Sequence, residues 1–390
     1  MISDRRGRPD MALSAAARAH LTRFYDGQLL PDEMIRTMTT DTGWFPTRTI
    51  SRGTGPVRDF QDHPAGGLPP LAIHDKGRVF DLYDYLTTNA VAGLVVLKDG
   101  RRVAEICQRG VTPDTLWHSC SLAKSIASTL VGVAIAEGAI GSIDDPVTAY
   151  VPLGGGYRAV TLRQVLRMCS GIRWNEDYVD PISDRRQLLE VQARWQPGGI
   201  IGFMTGLPAA TPPGGAWAYN TGESYLVAAV VEAATGMRLT DYLSSRIWSR
   251  IGMAHDARWW CEAPGAMTIS GSGMNAALSD YARFGQFVLD DGRIDGRSIL
   301  PAGWRDEAGS PYQIDGRRIP YGYMWWVPEL DDPILAGSFQ AEGIYGQYIH
   351  INPAHGLVVV VASARAKPGY RRRLEIDDDA FFAAIARALS

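Results

Sequence analysis

The sequence predicts an α+β protein, with an antiparallel sheet flanked by helices and a mainly helical domain inserted between two groups of strands. Three observations carry this. An apolar hairpin stands early, at Val91–Cys107; runs of helical spacing fill the middle; short apolar runs return late in the chain. Hairpins rather than long crossovers join the strands, so both groups are expected to close one antiparallel sheet around the insertion. The expected boundaries are an arm over 1–75, a sheet domain over 76–145 and 270–390, and a helical domain over 146–269.

Residues 1–75 lack sustained periodicity, and Gly53 to Pro70 is rich in Gly, Pro and Asp, the mark of an extended connection. This region reads as an arm with a short helix, wrapped on the body. Val91–Leu97 and Arg102–Cys107 read as strands, and Asp99-Gly100 between them is a strong hairpin turn signal. An apolar helix follows from Ser121 and stops at Gly138. Ile143–Val147 is a turn, and Thr161–Met168 a short helix with Leu162, Val165 and Leu166 on one face. Helical spacing returns over Glu223–Thr235, Leu239–Ile251 and Ser279–Leu289. Tyr323–Val327, Tyr348–Ile351 and Leu357–Ala362 are the late strands, and an amphipathic helix over Asp377–Leu389 closes the chain.

The composition excludes several classes. At 390 residues the chain easily buries a core, and 46% hydrophobic with 21% charged residues is ordinary for a globular protein. A net charge of -3 offers no basic stripe for a nucleic acid. The densest basic run, Arg371-Arg372-Arg373, is followed by Glu375, Asp377, Asp378 and Asp379 and reads as a solvated face. Arg5, Arg6 and Arg8 are followed by no apolar segment of the kind a signal peptide needs. No stretch approaches the roughly 18 apolar residues of a membrane helix. The four cysteines show no CxxC pair and read as free thiols. A cytoplasmic location and no membrane partner are the expectations.

Lysine is scarce: Lys76, Lys98, Lys124 and Lys367 are the only four among 39 basic residues. Lys124 lies three residues after Ser121 at the start of the apolar helix, so the two share a face, about 60° apart. Lysine differs from arginine in that it can lose its proton when desolvated. Ser-x-x-Lys at a helix start therefore suits a serine nucleophile with a lysine base. The free N–H groups at a helix start would add an oxyanion donor. An N-cap serine with a snorkelling lysine is the alternative. Tyr219, in the Gly-rich turn before a helix, can shuttle a proton beside the lysine or can simply pack. Gly343-Ile344 runs toward a strand, where glycine permits close approach and a free N–H could face Ser121; a bend at a sheet edge is the alternative. No Gly-x-Ser-x-Gly elbow occurs, and the seven histidines show no metal-ligand spacing. His118 precedes the helix and is expected to cap or pack.

Taken together in this order and spacing, these stretches resemble the serine β-lactamase and penicillin-recognising superfamily, in its class C and esterase branch. The nearest likeness is to the 6-aminohexanoate-dimer, or nylon-oligomer, hydrolases. The residues that carry it are Ser121-Leu122-Ala123-Lys124-Ser125, the turn Asp145-Pro146-Val147 with Tyr150-Val151-Pro152, Tyr219, Gly346-Gln347 and, most specifically, Asn175-Glu176-Asp177-Tyr178-Val179-Asp180-Pro181. The resemblance implies a β-lactamase-like fold with the site between sheet and helical domains. It implies Ser121 as nucleophile, Lys124 as base, Tyr219 as proton relay and the N–H groups of Ser121 and Ile344 as oxyanion hole. It implies that Tyr178 contacts the leaving amine, with Asn175, Gly343, Trp174 and Trp217 among the substrate-binding residues. Acyl-pocket size then depends on how Trp174, Trp217, Trp325 and the Tyr178 loop pack.

Two departures shape the expected activity. The usual Tyr-x-Asn is Tyr219-Asn220-Thr221, and the Lys-Thr-Gly triplet that holds a β-lactam carboxylate in relatives is Ala341-Glu342-Gly343. Both leave the acyl-transfer core in place. The expectation is a serine hydrolase of esters, linear amides or both, working through an acyl-enzyme with no cofactor or metal. A β-lactamase or D,D-peptidase is the first rival and a non-catalytic ligand-binding relative the second. The partner is a small ester or amide; homodimers are common among such hydrolases.

Overall fold

The computed structural model of the chain describes residues 12–369 and 374–390, so Arg5, Arg6, Arg8 and Arg371–Arg373 lie outside the described residues. Its architecture is α+β. The strand groups meet in one five-stranded sheet built from β1 (Val91–Lys98), β2 (Arg101–Cys107), β3 (Phe339–Gly343), β4 (Gln347–Asn352) and β5 (Leu357–Ser363), in the order β3-β4-β5-β1-β2. Every pairing is antiparallel, and the early and late groups join where Val359 faces Val96 and Val360 faces Val95. β5 reads Leu-Val-Val-Val-Val-Ala-Ser because both of its faces are covered. Val358 and Val360 pack toward one cluster and Leu357, Val359 and Val361 toward the other.

The helices that position the site are α1 (Ala15–Tyr25), α2 (Ala123–Ala136), α3 (Asp184–Gln192), α4 (Thr221–Thr235), α5 (Leu278–Leu289) and α6 (Asp378–Ala388). Phe284 of α5 joins the first cluster, and Phe381, Phe382 and Ile385 of α6 fill the second. α2 is buried on every side, since its residues Ala123 to Ala134 are nearly all withdrawn from water. Among the described residues no helix is long and apolar enough to cross a membrane.

Three expectations about elements need correcting. The arm holds two helices, not one: Pro31 opens a second at Pro31–Thr39, with Asp32 and Glu33 in its first turn. Tyr323–Val327 is not a strand. Met324 takes a left-handed φ of 59°, which breaks the extension and leaves only single bridges, Tyr321 to Trp326 and Trp326 to Gln340. The Leu239–Ile251 helix is α-helical only over Leu239–Leu243 and then widens into a π-turn over Ser244–Trp248. A second sheet orders Thr47–Ile50, Ala257–Trp260, Met274–Ala277 and Leu116–His118, strands of only three or four residues. The last of them delivers the chain to Ser121.

Candidate active site

Ser121 sits in a three-residue turn, Cys120–Leu122, between the Leu116–His118 strand and α2. Ser119 anchors the turn: its N–H donates to Met274 O at 2.8 Å and its hydroxyl accepts from Met274 N at 3.2 Å. Cys120 holds a left-handed φ of 47°, so the chain reverses sharply and Ser121 faces the cavity. Lys124, in the first turn of α2, is 2% exposed. Its Nζ lies 2.9 Å from Ser121 Oγ and donates to Gly271 O at 2.9 Å. Burial lowers the amine pKa to about 7, with Arg185 pushing the same way and Glu176 and Cys120 opposing. A neutral amine, with one N–H committed to a carbonyl, can turn its lone pair to the serine hydroxyl.

Tyr219 precedes α4, whose N-cap Asn220 accepts from Glu223 N. Its ring stacks on Trp326 at 5.5 Å, and Lys124 Nζ is 5.2 Å from the ring centre. Burial, reinforced by Glu176, pushes the phenol pKa up, while a hydrogen bond with Ser121 opposes this. The phenol thus stays protonated near neutrality and can pass a proton without resting as phenolate.

Gly343 ends β3 against the Ser121 turn. A Cβ there would stand 2.7 Å from Ser119 O, so only glycine lets the strand end approach so closely. The Ile344 N–H that follows carries no hydrogen bond among the described residues, while its neighbour Tyr345 N is held by Gln347 Oε1 at 3.2 Å.

Ser121, Tyr178, Tyr219, Gly343 and Ile344 line one cavity of about 660 Å³, joined by Trp326 and Glu176. Asn175, Trp174 and Trp217 do not line it. Asn175 is exposed and folds the loop, its Oδ1 accepting from Asp177 N at 2.9 Å. The Trp174 indole N–H is turned to the Glu176 carboxylate, and Trp217 stands behind Tyr321 and Trp326. Trp325, 1% exposed, packs on Phe339 instead of shaping the pocket. His118 is buried against Trp260, where burial holds its pKa down to about 4.

Two residues went unread in the sequence. Glu176 accepts from Tyr178 OH at 2.7 Å, from Thr221 N at 3.0 Å and from the Thr221 hydroxyl, pinning the Asn175–Pro181 loop to the N-terminus of α4. Thr221 is the position where asparagine was missing from the family pattern. Arg185 of α3 is buried beside Tyr25 and Tyr178. Glu176 stood in the quoted loop with an acid's chemistry as its signal; nothing local marked Arg185.

Residues 84–382 match the family model described as Beta-lactamase. A 6-aminohexanoate-dimer hydrolase of Paenarthrobacter ureafaciens is 29% identical over 346 residues, 84% of each chain. Esterase EstB of Burkholderia gladioli is 25% identical over 325 residues, covering 69% of this chain and 82% of its own. Among solved structures, the "Putative 6-aminohexanoate-dimer hydrolase from Bacillus anthracis" superposes with a TM-score of 0.75 at 22% identity, covering 90% of this chain and 91% of its own. A class C beta lactamase from Rhodobacter sphaeroides gives 0.57 at 18% identity, over 78% and 97%. These structural likenesses show a shared β-lactamase-like fold.

Proposed function

The chain belongs to the beta-lactamase family and is a serine hydrolase, and on that premise we propose that it cleaves carboxylic esters and linear amides of the aminohexanoate-oligomer kind through an acyl-enzyme on Ser121. The observation that carries the reading is the 2.9 Å contact between Ser121 Oγ and the buried Lys124 amine at the wall of the cavity. Lys124 takes the Ser121 proton and the serine oxygen attacks the carbonyl. The N–H groups of Ser121 and Ile344 receive the oxyanion. The proton passes through Tyr219 to the leaving oxygen or nitrogen, and the C–O or C–N bond breaks. Water, activated by the same pair, then releases the acid and restores Ser121.

Tyr178 supports the amide half of the reading. It lines the cavity, and its hydroxyl is already oriented by Glu176. A leaving amine is a poorer leaving group than an alkoxide and gains more from such a contact. Ala341-Glu342-Gly343 places no lysine where β-lactam-recognising relatives hold a carboxylate, and Glu342 lines the cavity in its stead. The four free cysteines fit a reducing compartment, which is the support for a cytoplasmic location.

The test is a p-nitrophenyl acetate assay, with mass spectrometry for an acyl group on Ser121 and amine release from the aminohexanoate dimer. Turnover that survives Ser121→Ala would sink the nucleophile assignment. Nitrocefin turnover faster than ester turnover would favour a β-lactamase, and no turnover of any substrate a ligand-binding relative.

A further inference from the structure

Arg185 occupies a place that fold stability does not explain. It stands in the first turn of α3, and its side chain is 2% exposed. Nη2 donates to Tyr25 OH at 3.0 Å, while Nε and Nη1 are buried with no hydrogen-bond partner. The neighbouring Arg186 pairs with Asp26, and Arg173 pairs with Asp184. Arg185 makes no ion pair among the described residues. A guanidinium does not shed its proton, so a full charge is buried here at a cost to stability. Burial works against the charge, but Tyr25, Tyr225, Tyr178 and Glu176 outweigh it, so the groups that hold this guanidinium are those around the site.

What the charge faces is the acyl-transfer site. Arg185, Lys124, Ser121, Tyr25, Tyr178 and Thr221 surround one small void, with room for about a single water molecule. The guanidinium lies 4.9 Å from the Tyr25 ring and 5.4 Å from the Tyr178 ring, and these rings stack on each other at 5.5 Å. The groups facing Lys124 come from every element around it. Cys120 and Ser121 belong to its own turn, Glu176 and Tyr178 to the loop, Tyr219 to the approach to α4, Tyr25 to α1 and Arg185 to α3. Glu176 is the opposing charge, and its carboxylate is engaged by Tyr178, Thr221 and Trp174.

We propose that Arg185 is a positioning residue of the acyl-transfer site: its fixed charge, lining the same void as Lys124, offsets the charge of Glu176 at the amine, and its contact with the Tyr25–Tyr178 stack holds Tyr178 at the cavity wall. A second positive charge beside the amine disfavours ammonium and leaves the neutral base untouched. Burial acts on Lys124 in the same sense, and Glu176 acts against both. The inference rests on Lys124 being the base, so its test needs a readout of the amine that does not depend on turnover.

The scarcity of lysine supplies one. Protein labelled with 13C at lysine Cε shows the signals of four side chains, and Lys124→Arg identifies that of Lys124. Its titration midpoint is measured in wild type, Arg185→Met and Arg185→Gln, the last covering the case in which methionine disturbs the fold. Both variants should raise the midpoint by about one pH unit. Glu176→Gln should lower it. The acid limb of kcat/KM for p-nitrophenyl acetate should follow, with about a tenfold loss at pH 6 that recovers on the alkaline side. A purely structural role would lower activity at every pH and leave the midpoint in place. An unmoved Lys124 midpoint in the folded Arg185 variants overturns the proposal. A midpoint that moves while the kinetic limb stays would support Arg185's action on the amine and remove Lys124 as the base.

Discussion

A lysine at the foot of a buried helix serves as a base only if it gives up its proton. In Lys124 burial does most of this, and the carbonyl of Gly271 fixes the amine beside Ser121. Because its pKa lies at about 7, kcat/KM should fall about tenfold per pH unit below 7 as ammonium replaces amine. A pH profile of ester hydrolysis that is flat from pH 5 to 8 would contradict this. Lys124→Arg keeps the charge but cannot deprotonate, so activity should drop by about 10³-fold or more, with the acyl-enzyme failing to form. Tyr178→Phe separates the two substrate classes. It should cost amide turnover about 100-fold and ester turnover little, read as the ratio of aminohexanoate-dimer to p-nitrophenyl ester hydrolysis. The Ser121–Lys124 spacing and the Tyr178 loop were both legible in the sequence. Glu176 and Arg185 were not, because their partners Thr221 and Tyr25 lie far along the chain and are close only in space.

At the scale of elements, α4 shows how a helix start serves more than one end. Tyr219 and Thr221 flank its N-cap, while Glu223 in its first turn is buried, with Oε2 lacking a partner. Burial pushes the Glu223 pKa up to about 8, so the folded chain holds this proton where the unfolded chain, with an ordinary carboxyl, has lost it. The native state binds more protons between about pH 4.5 and 8, and stability falls as pH rises through that window. Glu223→Gln should remove this term, gaining on the order of 3 kcal/mol over wild type on going from pH 5 to pH 8 in urea unfolding. An equal difference at both pH values would show that Glu223 is ionised when folded. The late aromatic run marks where element reading fails. Tyr323–Val327 has the composition of a strand, yet Met324 turns back so that its carbonyl accepts from Ser125 Oγ at 2.6 Å.

Across the whole molecule, one polar knot ties the last helix to the sheet. Asp378, at the start of α6, accepts from Arg365 beyond β5, from Tyr348 of β4 at 2.7 Å and from Tyr85 at 2.7 Å. Arg365 is 1% exposed in this pair. Asp378→Asn leaves a buried guanidinium without its counter-charge and should cost about 3 kcal/mol of unfolding free energy, by denaturant titration. The knot lies on the face of the sheet covered by α6, in the second cluster, while the Ser121 site belongs to the first. Kinetic constants of the folded Asp378→Asn protein should therefore stay near wild type. The arm, by contrast, reaches the site: the Tyr345 hydroxyl donates to Phe24 O, and Tyr25 receives Arg185. The composition of residues 1–75 does not show that Phe24 and Tyr25 would line the void beside Ser121 and Lys124.

By itself the sequence determined the α+β class, the pairing of an early hairpin with late strands, and the spacing of Ser121 to Lys124. These are local facts, since periodicity, turn residues and helix starts act over a few positions. The tertiary structure decided the rest. It chose Trp326 over Trp174, Trp217 and Trp325 for the cavity wall, set Glu176 beneath Tyr178, and brought Arg185 and the arm behind Lys124. Each choice depends on which buried surfaces meet, and the balance of desolvation and charge on one amine exists only once they have met.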